Sequence, residues 1–108
     1  MRLWVDNVDV APVEIASSSW QKMKGLLRRD GIDGAMYFEN VPSVHTFFMR
    51  FAIDVAYLGG DLVVRHVQTM KPWRVSGKHR GVRHVLEAPA GSFGKWNLRV
   101  GSKIEVHS

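Results

Sequence analysis

Residues 45–58, HTFFMRFAIDVAYL, restrict the fold more than any other stretch of this chain. This is the densest apolar run, and its aromatic and β-branched content favours extended backbone over helix. Arg50 breaks its first half and Asp54 sits inside its second. The run therefore predicts one bent strand or two strands, with the bend near residues 50–52, and the rest of the chain must pack on it.

The segments before it read as a lead-in. Leu3, Val5, Val8 and Val10 alternate with polar residues, which predicts a short hairpin or a strand interrupted near Asp6 and Asn7. Val13 and Ile15 continue the extended pattern, and Pro12 is expected at a sheet edge or strand start, where its missing N–H does little harm. Ser18 with Gln21 fits a capping box, and Trp20, Met23, Leu26 and Leu27 follow at helical spacing. That segment predicts the only substantial helix, closed by Asp30-Gly31 and Asp33-Gly34. Ala35 to Phe38 reads as a short strand, left through a turn at residues 40–43.

The segments after it read as strands returning. Gly59-Gly60-Asp61 is a hairpin signal, and the partner strand starts at Leu62 and reaches about Met70. Residues 71–83, KPWRVSGKHRGVR, predict a long loop. A short strand follows at residues 84–87, then one helical turn within residues 92–98 and a closing strand at 103–106. Short strands at this spacing with one helix predict a mainly β (α+β) fold, a compact β-sandwich or barrel-like single domain over residues 1–108. A chain of 108 residues has room for one core, burying roughly 65% of the surface its unfolded form exposes.

Composition narrows the chemistry. With no cysteine, the chain has no disulfide, thiolate zinc ligand or cysteine nucleophile. The start, MRLWVDNVDV, meets acidic residues too early for a secretory signal, and no apolar stretch approaches the roughly 18 residues that span a bilayer. The expectation by elimination is a cytoplasmic protein without a membrane partner. Net charge is +5, and it is unevenly placed: between Arg65 and His84 lie six Lys or Arg, three His and no Asp or Glu, counting both ends. Such a one-signed patch attracts anions, although solvated loops share this composition.

The order of these segments resembles the domain of unknown function 192 family, also called uncharacterised protein family 0127. The helix ends in KGLLRR, and GAMYFEN, HTFFMRFAIDVAYLGG and HVLEAPAG follow, then a last glycine turn and strand. The resemblance runs from about Ala16 to Val106. It is most specific at Leu86-Glu87-Ala88-Pro89-Ala90-Gly91 and in the spacing of Met49 to Asp54. The chain departs from the family at Leu27, Phe48, Arg50-Phe51-Ala52 and Ser102, the last replacing an Asp after glycine. The resemblance implies a compact, mostly β domain with one helix, and no activity.

Two constellations could carry chemistry, and two others do not fit the spacing their chemistry needs. Asp54, with His45, Arg50 and Glu87, places carboxyl groups inside apolar strands, where they must be paired or hydrogen-bonded. They are candidates for general acid–base work, or for pinning a bend. The histidines His45, His66, His79, His84 and His107 are scattered without metal-ligand spacing, so no metal and no cofactor are expected. Ser92, in AGSFG, fits a turn into a helical cap rather than a nucleophile elbow. The basic loop, with Lys71, Trp73, Arg74, Lys78, Arg80 and Arg83 and the company of Trp96 or Arg50, could hold an anion while a ring stacks. Trp73 is expected to cover the end of the core in preference to standing exposed. Two functional readings follow. One is a module binding an anionic small molecule, nucleic acid or other partner through residues 71–83. The other is a small hydrolase-like enzyme using Asp54 and Glu87 in a shared cleft, helped by His45 or Arg50.

Overall fold

A computed structural model describes residues 1–16, 34–41, 51–77 and 79–108 of the chain. Among these residues are seven strands and one short helix: β1 (Arg2–Val5), β2 (Val8–Ala16), β3 (Ala35–Phe38), β4 (Ile53–Leu58), β5 (Val64–Met70), β6 (His84–Pro89), α1 (Ser92–Trp96) and β7 (Ile104–His107). The helix expected after Ser18, the first half of the 45–58 run, and His45, Arg50 and Lys78 lie outside the described residues.

The strands form one mixed sheet in the order β5-β4-β6-β3-β2-β1-β7. Only the β2–β3 pair is parallel. Asp6 and Asn7 both take positive φ, 48° and 68°, and Val5 pairs with Val8, so β1 and β2 join through the tight two-residue turn suited to strand twist. Pro12 is at neither a sheet edge nor a strand start. It lies in the middle of β2, at the last pairing with β1 and just before the pairing of Val13 with Ala35 of β3. A strand that changes partner there tolerates a residue without an N–H.

All six residues of β4 are buried, as its largely apolar composition requires of a strand covered on both faces. The turn at Gly59–Leu62 returns the chain to β5, with Leu62 N donating to Gly59 O at 3.0 Å. The sheet also curls until its two edge strands approach at one end. Val63 bridges Lys103, Val64 N donates to Ser102 O at 2.9 Å, and Ile104 N donates to Leu62 O at 2.9 Å.

Strand alternation then sorts the apolar residues into two cores. Leu3, Val5, Val13, Ala56, Leu58, Val64, Leu86, Ala88 and Ile104 pack together on the concave side, where α1 adds Phe93. Ile53, Val55, Tyr57, Met36, Phe38, Met70 and Val85 form a second cluster on the other face, with Val82 of the 71–83 loop against it. The two faces of β4 thus carry different neighbours. One buried carboxyl group belongs to this strand and another to its neighbour β6.

Candidate functional site

Asp54 is in β4 opposite Thr69 of β5 and Ala88 of β6. Its alternation partners, Ala56 and Leu58, belong to the concave core, so its side chain lies on that side. It is buried, at 5% exposure. Thr69 Oγ1 donates to Oδ1 at 2.7 Å, and the backbone amides of Gly91 and Phe93 donate to Oδ2 at 3.0 and 3.1 Å. Gly91 takes φ +93° ahead of α1 and offers no capping side chain of its own. Asp54 therefore satisfies the orphan donors at the start of α1 from a distant strand. The two most specific segments of the family resemblance meet at this contact.

A shallow groove of about 430 Å³ opens beside it, lined by Asp54, Val67, Gln68, Thr69, Gly91, Phe93 and Gly94. No described residue of the 71–83 loop lines it.

Glu87 is differently placed. It pairs with Val55 of β4 and Met36 of β3, both in the second cluster, so its side chain lies on the opposite face from Asp54. It is fully buried, and neither carboxyl oxygen has a hydrogen-bond partner among the described residues. Burial alone pushes its pKa up to about 8, so the group is mostly neutral at pH 7. Burial also raises the Tyr57 phenol, with Ser76 working against the rise and any charge on Glu87 adding to it.

Three rings gather on this face. Tyr57 and His79 have centroids 4.6 Å apart, His66 and His79 4.3 Å, and Tyr57 and His66 5.5 Å. His79 comes from the loop, and its Nε2 is buried without a hydrogen-bond partner among the described residues. The loop is therefore seated by Ser76, which is buried, by His79 and by Val82, while Lys71, Trp73, Arg74, Arg80 and Arg83 are exposed.

This geometry corrects several expectations. Asp54 and Glu87 share no cleft, because adjacent positions on paired strands point to opposite faces. Trp73 is 55% exposed with φ 65° and does not cover the core. Trp96 does not join the basic loop; it packs on the concave core, its ring 6.1 Å from that of Phe93. Arg74 Nη1 donates to the backbone oxygens of Pro72 at 3.5 Å and Trp73 at 3.3 Å. His84, one of the scattered histidines, accepts from Asn40 N at 3.1 Å through Nδ1. Ser102, which departs from the family pattern, accepts from Arg99 N at 3.1 Å through its Oγ. Among the described residues no three His, Asp or Glu side chains are placed to hold a metal ion, and no helix is long and apolar enough to cross a membrane.

The ring cluster of Tyr57, His66 and His79 has only a partial signal in residue order. Period-2 pairing across the Gly59-Gly60 turn points from Tyr57 to His66, but nothing local brings in His79.

The sequence profile of DUF192, described as Uncharacterized ACR, matches residues 3–106. The chain belongs to this family. Among its relatives, a UPF0127 protein of Thermococcus sibiricus is 27% identical over 99 residues, covering 86% of this chain and 64% of that protein. A UPF0127 protein of Pyrococcus abyssi is 35% identical over 63 residues, 58% of this chain and 54% of that protein. The chain thus spans less than two thirds of the length of these relatives. A crystal structure from Sinorhizobium meliloti, described as a candidate transcription regulator, superposes with a TM-score of 0.73 at 22% identity, covering 86% of this chain and 79% of that one. A protein of unknown function from Novosphingobium aromaticivorans gives 0.72 at 20% identity, covering 87% and 74%. At such identities the likeness is one of fold.

Proposed function

We propose that this DUF192 member is a small binding module that takes an anionic ligand or partner on the outer face of its 71–83 loop. The observation that carries the reading is the division of labour within that loop. Ser76, His79 and Val82 hold it to the sheet, while Arg74, Arg80 and Arg83 are left exposed. Cations on an anchored segment lose less conformational freedom on binding than cations on a free one. With no acid between Arg65 and His84, nothing within the segment offsets their field.

Phosphate-bearing ligands fit this chemistry, because arginine forks match phosphate oxygens in pairs. Nucleic acid is one such ligand, and Trp73 stands exposed between Lys71 and Arg74 for a base or sugar to stack on. Titrating a single-stranded oligonucleotide and a simple phosphosugar into the chain at rising salt tests the reading. Binding should weaken steadily as salt rises. No binding of either at low salt overturns it.

A further inference from the structure

The turn between β4 and β5 gathers cations from three separate parts of the chain. Its tip is Gly59-Gly60-Asp61. A Cβ on Gly59 would stand 2.7 Å from Arg65 Nε and 2.9 Å from Nη2, so a guanidinium from β5 occupies the space a side chain there would take. A Cβ on Gly60 would stand 3.2 Å from Arg83 Cδ and 3.8 Å from Nη1. Arg83 N donates to Leu58 O at 2.8 Å, which fixes the end of the 71–83 loop beside the turn. Lys103, just ahead of β7, donates from Nζ to Asp61 O. The acid at the turn is Asp61, whose Oδ1 accepts from Val63 N at 3.2 Å and whose Oδ2 meets Arg65 Nη2 at 3.2 Å. That ion pair uses one of the several N–H donors a guanidinium offers. Arg65, Arg83 and Lys103 are all exposed. Three cations against this one acid leave a surplus of positive charge at a single glycine tip.

A length of nucleic-acid backbone presents single charges in a row, met by cations spread along a groove. Cations that converge on one turn from β5, the loop and the start of β7 suit a compact group of higher charge. A terminal phosphate is such a group: it carries about −1.5 to −2 charge at pH 7 and several acceptor oxygens, which arginine forks match in pairs. We propose that the Gly59–Asp61 turn is the subsite for a phosphate monoester, bound by Arg65 and Arg83 with Lys103 adding charge. The proposal rests on the anion-binding reading; it adds the chemical class of the anion and a binding residue, Arg65, that is not part of the 71–83 loop.

Calorimetry on the full chain at low salt tests it with a short single-stranded oligonucleotide, the same strand carrying a terminal phosphate, and a simple phosphosugar. The phosphorylated strand should bind about tenfold more tightly than its unphosphorylated twin, the worth of one charge-assisted contact. Binding of the phosphosugar as well assigns the subsite to phosphate esters in general; its failure beside a preferred phosphorylated strand assigns it to strand ends, and either result supports the proposal. Arg65→Gln should remove the preference. Gly59→Ala keeps the net charge and presses only on the side-chain ends of Arg65 and Asp61, so it should shift the guanidinium and lower the preference too. Equal affinities for the two strands in the native chain, or a preference that survives Arg65→Gln, overturn the proposal, while salt-dependent binding of both strands keeps the anion reading standing. If no probe binds at low salt, both fall. The native comparison needs no variant to decide.

Discussion

Asp54 and Glu87 lie on neighbouring strands one residue out of register, and their carboxyl groups occupy opposite faces of the same sheet. One accepts three hydrogen bonds; the other has none among the described residues. Two acids that look alike in composition therefore make opposite contributions to stability.

Removing Asp54 should unfold the start of α1. Asp54→Ala leaves the amides of Gly91 and Phe93 and the Thr69 hydroxyl without their acceptor, at a cost of about 3 kcal/mol. Asp54→Asn keeps one acceptor oxygen and should cost about half as much. Urea denaturation of both variants measures this, and an Asp54→Ala chain as stable as the parent contradicts the capping role.

Glu87 should make stability depend on pH in the direction opposite to an ordinary paired acid. Its carboxyl titrates near pH 8 when folded and near its ordinary value of 4.5 when unfolded. Between those values the folded chain holds a proton that the unfolded chain has lost, so stability falls as pH rises from about 4.5 to 8 and levels off above that. The loss is on the order of a few kcal/mol. Glu87→Gln should flatten this slope, and Glu87→Met should raise stability at pH 8 by roughly 1–2 kcal/mol. Denaturation midpoints at pH 5, 7 and 8.5 supply the measurement; a parent chain that gains stability over this range contradicts the assignment.

Two glycines with positive φ should respond differently to alanine. A Cβ at Gly34 would lie 2.2 Å from Pro12 O, a backbone atom, at φ +81°. At Gly91, φ is +93° and the space is open. Gly91→Ala should cost only the left-handed strain of about 1–2 kcal/mol. Gly34→Ala adds a collision between β2 and the entry to β3 and should cost over about 3 kcal/mol. Thermal melts of the two variants should rank in that order.

The loop arginines should act through charge. Replacing Arg80 and Arg83 with Gln should reduce the slope of log affinity against log salt for a single-stranded oligonucleotide by about 1.4, at roughly 0.7 for each phosphate no longer neutralised. Their exposure means the melting temperature should hardly move. An unchanged slope places the anion elsewhere.

Much of the fold can be read from local pattern because the determinants are local. The turn at Asp6-Asn7, the hairpin after Gly59-Gly60, the short strand at Ala35–Phe38 and the helical turn after Gly91 each follow from residues within a few positions of one another. The one-signed run of cations from Arg65 to His84 is equally legible, since charge counts need no coordinates. The place of Pro12 is not, because a strand's change of partner is a property of the sheet and not of the residues flanking the proline.

The chain's sequence determined by itself that the 45–58 run would supply extended, apolar backbone for the rest to pack on and that two acids would be caught among apolar strands, since hydropathy and period-2 alternation are written into residue order. Only the tertiary structure decided which face each acid took and what met it there. That depends on register between strands 30 residues or so apart in sequence, and a shift of one residue between β4 and β6 would set Asp54 and Glu87 opposite each other on one face. The same register brought Gly91 to Asp54 and laid His79 of the loop over Tyr57 and His66.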